Sequence, residues 1–213
     1  YILISLMTGA RKSNVLAMSW NEISWEQGTW RIPETKNGEA VTVHLVPQAI
    51  EILKTRKLHS KNKWVFPSAK GDKHFADPKK SWDRIRQRAT IELWKQTPEF
   101  AELIKEVNER IENENNYIFS SPKLIKCIQE EAEARKLELP IGLLDLRLHD
   151  LRRTFGSYQA MTGASLPIIG KTLGHKSSQS TSVYARFHDD PIKDAMSKAA
   201  DAMFNFGKGE TND

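Results

Sequence analysis

His149 and Arg152 stand three residues apart in a stretch of helical pattern, Leu173-Gly174-His175 follows, and Tyr184 lies nine residues beyond that histidine. Residues three apart on a helix share a face, so this imidazole and guanidinium can address one ligand together. Arginine stays charged and offers a planar fork of donors that matches two phosphate oxygens, whereas an imidazole exchanges a proton near neutral pH. Tyr184 is the candidate nucleophile. Its phenol is protonated at neutral pH, so attack on a phosphodiester requires a base alongside and cations to neutralise the developing charge. These residue types at this spacing read as phosphate chemistry.

Other chemistries fit less well. Gly170-Lys171-Thr172 imitates the end of a nucleotide-binding loop, but the first glycine of that motif would fall at Ser165, and no buried strand precedes it. His149-Asp150 and His188-Asp189 suggest metal pairs, yet no HExxH spacing accompanies them. Ser157 and Ser165 lack the Gly-x-Ser-x-Gly elbow of a serine hydrolase.

The elements that must hold these groups can be read from periodicity and punctuation. A central helix begins after Leu148, carries Asp150 in its first turn and ends at Gly163; the next opens at Ser165-Leu166-Pro167 and breaks at Gly174. A short helix from about Ser180 carries Tyr184. A final helix over 191–206 bears an apolar stripe of Ile192, Ala195, Met196, Ala199, Met203 and Phe204, followed by a tail at 207–213 expected to be disordered. Upstream, Tyr1 to Met7 and Lys12 to Met18 read as helices split at Thr8-Gly9, with Arg11 at the break. Runs at 23–25, 29–32 and 41–45, separated by Gln27-Gly28 and Asn37-Gly38, predict a three-stranded antiparallel meander with Lys36 at its second turn. By themselves Arg11 is a loop charge and Lys36 a solvated hairpin lysine.

Pro47 opens a helix reaching about His59, and Trp64 to Pro67 reads as a short strand or extended segment. Asp77-Pro78 starts a helix with Trp82, Ile85 and Ala89 inward and Arg84, Arg86 and Arg88 outward, where the arginines can meet phosphate. Residues 90–140 form a helical insertion, its apolar positions at i, i+3, i+4 and i+7 in Phe100, Leu103, Ile104, Val107 and Ile111 and again in Leu124, Ile125 and Ile128. Its acidic residues should face away from a polyanion.

At 213 residues the chain can bury a sizeable core and is read as one domain, 1–213. Lysine and arginine outnumber aspartate and glutamate by 32 to 27, a net charge of +5 compatible with a polyanionic partner. One cysteine, Cys127, excludes an internal disulfide and fits a reducing, cytoplasmic compartment. No apolar run approaches the ~20 residues of a membrane span. The opening YILISLM, with no initiator methionine, reads as mid-helix, so a fragment of a longer protein is expected.

Taken in order, three separated blocks resemble the tyrosine recombinases, the phage integrase family. His149-x-x-Arg152, Leu173-Gly174-His175 and Tyr184 look like its C-terminal catalytic signature; Thr8-Gly9-Ala10-Arg11 with Asn14, Leu16 and Trp20 looks like its first arginine motif; and Lys36, in Trp30 to Gly38, matches its catalytic lysine. Asn14 departs from the glutamate often found there.

The resemblance implies an α+β, mainly helical catalytic domain with a small three-stranded sheet. It also implies cleavage and rejoining of double-stranded DNA through a 3′-phosphotyrosine, with no cofactor and no metal. Tyr184 would be the nucleophile, Lys36 the general acid and His149 the general base, with Arg11, Arg152 and His175 stabilising the phosphate. Arg84, Arg86, Arg88, Arg153 and Lys176 are the candidate DNA contacts, and the C-terminal helix the candidate for self-association on DNA. A type IB topoisomerase, or a DNA-binding module without catalysis, are the alternatives.

Overall fold

The computed structural model describes residues 1–35, 38–115, 121–187, 196–201 and 203. It divides the chain into two compact units, one made of 1–74 with 149–213 and the other of 75–148. The fold class is α+β and mainly helical, with one small antiparallel sheet.

In the first unit, α1 (Ile2–Thr8) stops where Gly9 turns left-handed at φ 59° and its N–H reaches the Ser5 carbonyl. Helix α2 spans Lys12–Leu16, two residues shorter at its C-terminal end than the pattern predicts, because Ala17 and Met18 leave the helix before the buried Ser19-Trp20 turn. Strands β1 (Ile23–Ser24), β2 (Thr29–Ile32) and β3 (Val41–His44) form the expected meander in the order β1-β2-β3. Trp30 pairs with both Ile23 and Val43, and alternation sends Trp30, Ile32 and Val43 to the core face. Pro47 occupies the first turn of α3 (Pro47–Leu58), which buries Ala49 and Leu53.

The segment 64–67 makes no strand. Trp64 pairs only with Ser19 and Pro67 only with His74, as single bridges, since a proline cannot donate to an extended ladder.

Three further helices belong to this unit. α7 spans Leu148–Met161, α8 Leu166–Leu173 and α9 Gln179–Ser182. Ser165 sits at the N-cap of α8 as expected, but its hydroxyl makes no capping bond. Residues 196–201 are helical, and Met196 and Met203 are largely exposed there. Ile192, Ala195, Phe204 and the predicted 207–213 tail lie outside the described residues.

The second unit has its own core. α4 (Lys79–Trp94), α5 (Pro98–Asn115) and α6 (Ser121–Ala134) enclose Ile91, Trp94, Leu103, Ile104, Val107 and Ile128, with Cys127 packed against them. The loop after α6 is tied to α4 by polar groups: Trp82 Nε1 donates to the Leu146 carbonyl at 2.9 Å, Trp94 Nε1 to Pro140 at 2.8 Å, and the Leu143 N–H to Thr90 Oγ1 at 2.9 Å. Surface pairs Arg110–Glu131 and Arg135–Glu106, both at 2.6 Å, join α5 to α6.

Two side chains of α4 depart from the expected pattern. Ile85 is exposed, and Arg86 turns inward to donate to the Leu144 carbonyl and pair with Asp83 at 2.9 Å. Position 86 lies four residues from both Trp82 and Thr90, so helical geometry places it on their buried face whatever its charge. Among the described residues no helix is long and apolar enough to cross a membrane.

Candidate active site

Arg152 lies inside α7 and is only 7% exposed, an unusual place for a guanidinium unless its donors are met. They are met by backbone. Nη1 donates to the Gly9 carbonyl at 2.7 Å, where α1 ends, and Nη2 donates to the Leu173 carbonyl, where α8 ends. Both are helix C-termini, whose unpaired carbonyls carry partial negative charge and welcome a cation. Gly9 permits this approach: besides its left-handed backbone, a Cβ there would lie 2.3 Å from Phe155 Cδ1.

Arg11 enters the same region from the N-cap of α2 and sends Nη2 toward the Gly174 carbonyl at 3.5 Å, a long and weak contact. Burial, and then the Arg11 charge, push Arg152 down to about 10, so it remains a cation at neutral pH.

His149 stands one turn before Arg152 on α7. His175 follows Gly174, the left-handed C-cap of α8 (φ 60°), and its N–H donates to the Gly170 carbonyl at 2.9 Å. Its Nδ1 lies 2.9 Å from Thr181 Oγ1, which leaves Nε2 for a ligand; with the threonine hydroxyl donating, that nitrogen carries the proton. Burial, then the nearby arginines, hold both imidazoles below the ordinary histidine value of 6.5, for His149 chiefly Arg153 and Arg152, for His175 Arg152 and Arg11. At neutral pH both are therefore neutral.

Tyr184 occupies the turn between α9 and a 3-10 turn at Ala185–Phe187, not a helix as expected, and is 4% exposed. Its ring lies near-parallel to that of His175, with centroids 6.5 Å apart and planes at 12°, and it packs against α7 at Gly156. Burial raises the phenol above its usual value of 10, partly offset by Arg152 and Arg153. It stays protonated at neutral pH until a base takes the proton.

Arg11, His149, Arg152, His175 and Tyr184 thus line one cleft of about 720 Å³. Arg153 is also there, exposed and paired with Asp150 at 3.1 Å. None of the lining residues carries a carboxylate. A wall of guanidiniums and imidazoles with no carboxylate of its own attracts anionic ligands, phosphate among them.

The remaining candidates are distributed differently. Lys176 lies next to His175, well exposed and 3.5 Å from Glu39. Arg84 and Arg88 are exposed on α4, Arg86 is tied down as described, and Lys36 lies outside the described residues.

Residues to which the sequence assigned no part in the site also reach the cleft. Arg186 lines it with its guanidinium held 4.9 Å over the Phe187 ring, and Ser157, Ser180 and Ser182 add hydroxyls. Thr181, which fixes the His175 ring, is buried behind it. The serine- and threonine-rich run before Tyr184 was the available signal, since such a run supplies local partners to a neighbouring imidazole.

The model of the phage integrase family matches residues 1–114 and 95–190. An integrase of Escherichia phage 186 is 38% identical over 64 residues, 30% of this chain and 18% of that protein; a putative integrase/recombinase of Haemophilus influenzae is 41% identical over 51 residues, 24% and 14% of the two chains. XerA recombinase superposes with a TM-score of 0.51 over 93% of this chain and 56% of its own at 14% identity. The Tn1549 transposon integrase, in complex with circular intermediate DNA, gives 0.54 over 93% and 58% at 12% identity. At those identities the likeness is one of fold. The matched stretches span less than a fifth of the two curated relatives, and the chain covers under three fifths of either solved protein.

Proposed function

Because the chain belongs to the phage integrase family, we propose that it is the catalytic domain of a site-specific tyrosine recombinase. It would cleave and rejoin double-stranded DNA to integrate or excise mobile DNA. The observation that carries this reading is the convergence of two arginines, two neutral imidazoles and one buried tyrosine on a single cleft free of carboxylates. That set matches what an in-line displacement at phosphorus requires: cations for the pentavalent charge, a nucleophile, and a base to free it.

In the proposed step the Tyr184 oxygen attacks the scissile phosphorus and its proton passes to His149. Arg11, Arg152 and the His175 Nε2 hold the non-bridging oxygens. The bond from phosphorus to the 5′ oxygen breaks, leaving a 3′-phosphotyrosine, and the departing oxygen takes a proton from Lys36, a role that rests on resemblance alone. Because the ester bond is exchanged and not hydrolysed, a 5′-hydroxyl of another strand can reverse the attack, so rejoining needs no nucleotide energy. His149 is kept neutral at pH 7 by its lowered pKa, so its ring is free to take the phenol proton.

DNA is the proposed partner, contacted around the cleft by Arg153, Lys176 and Arg186 and, on α4, by Arg84 and Arg88. The exposed Met196 and Met203 support the C-terminal helix as a surface for self-association.

Covalent trapping on nicked suicide duplexes tests the reading. The full-length protein should give a denaturation-resistant adduct through a 3′-phosphate. Tyr184→Phe should lose the adduct and retain DNA affinity, since the phenol oxygen is needed for chemistry alone. Failure of the parent to form an adduct on DNA that it binds would refute the assignment.

A further inference from the structure

Gly156 lies in the interior of α7, where alanine is favoured over glycine on backbone grounds. It is four residues after Arg152 and seven after His149, on the helix face that bears both. A Cβ built at this position would lie 2.5 Å from Tyr184 Cζ, 2.7 Å from Cε1 and 2.9 Å from the phenol oxygen. The tyrosine ring therefore occupies the volume that any other residue would claim. The His175 ring lies near-parallel to it with centroids 6.5 Å apart, so the phenol packs directly on bare helix backbone beside an imidazole.

We infer that Gly156 is a positioning residue that sets the depth and direction of Tyr184 in the cleft. This rests on the reading of Tyr184 as nucleophile. A methyl group at 156 leaves the arginines and histidines in place, but moves the ring outward by roughly an ångström, the distance over which in-line attack loses about a hundredfold in rate. Tyr184 sits in a turn and not in a regular element, so the ring can move without disrupting a helix. The consequence is a separation of effects: binding and folding survive, and the bond-making step slows.

The test pairs a spectroscopic and a kinetic measurement on the full-length protein. 3-Fluorotyrosine is incorporated and the Tyr184 resonance assigned by its loss in Tyr184→Phe. Gly156→Ala should shift that resonance and bring its titration down toward that of an exposed tyrosine. The same variant should form the covalent adduct about ten- to a hundredfold more slowly at saturating DNA, with DNA affinity unchanged. An unmoved resonance, or adduct formation at the parent rate, overturns the inference. No adduct from the parent itself overturns the nucleophile reading instead. Should Gly156→Ala melt early, the substitution is repeated in a Tyr184→Ala background: the loss of stability should vanish once the ring is absent, and a loss that persists also overturns the inference.

Discussion

Arg152→Lys separates charge from shape at the centre of the site. The guanidinium makes two buried hydrogen bonds, to the carbonyls of Gly9 and Leu173. A lysine ammonium retains the charge but is a single point; it can reach one carbonyl and abandons the other. A hydrogen bond to a charged group contributes about 1.5–3 kcal/mol, so the variant should lose roughly one such bond's worth of stability. For a domain of this size, about 2–4 °C per kcal/mol translates this into a fall in Tm of about 3–12 °C. Catalysis should suffer more, because the fork that grips two phosphate oxygens is gone, and removal of one preorganised donor of this kind costs about a hundred- to a thousandfold. Urea unfolding followed by circular dichroism gives the first quantity, and the rate of adduct formation on a suicide duplex gives the second. A variant that unfolds with the parent and cleaves at the parent rate would show that charge alone suffices, and that the two carbonyl contacts neither hold the fold nor aim the group.

Cleavage should fall on the acid side, below the ordinary histidine value of 6.5, as His149 gains the proton that blocks it as acceptor; His149→Gln should remove that limb from the pH profile while lowering the plateau. Stability should fall in the same window. Both histidines are held below 6.5 in the fold, so as pH drops the unfolded chain binds protons first and is favoured, until the folded values are passed. Thermal melts between pH 7.5 and 5 measure this, and a rise in Tm on acidification would contradict it. Gly9→Ala should cost more than 1 kcal/mol through both the left-handed backbone and the 2.3 Å approach to Phe155, read as a lowered urea midpoint at unchanged slope.

Much of this was legible because the signals were local. Gly9, Gly163 and Gly174 marked helix ends that the structure confirms as left-handed, and the alternation around Trp30 identified the meander. The grouping of Arg11 with Arg152 was legible only through motif order; nothing in the periodicity of α2 says that its N-cap faces a helix more than a hundred residues later. The misread side chains share a cause. Arg86 was sent to solvent on account of its charge, although its register with Trp82 and Thr90 places it inside, where a loop carbonyl meets it. Thr181 and Gly156 were passed over because their importance lies in what touches them, and contacts between α7, α8 and the Tyr184 turn leave no trace in spacing.

The unit that holds the cleft is discontinuous, 1–74 with 149–213, and this gives its biosynthesis a waiting period. Arg11 and the carbonyl of Gly9 leave the ribosome early, but their partners on α7 and α8 are not yet made. At typical elongation rates the stretch 75–148 takes on the order of ten seconds to synthesise. During that interval the surfaces around Gly9 and Arg11 that α7 and α8 later cover stay open, while the 75–148 helices can already close on their own core. A nascent chain halted before α7 should therefore display protease-sensitive N-terminal segments beside a protected middle, and protection of the first 74 residues should appear only once Leu173 has cleared the exit tunnel.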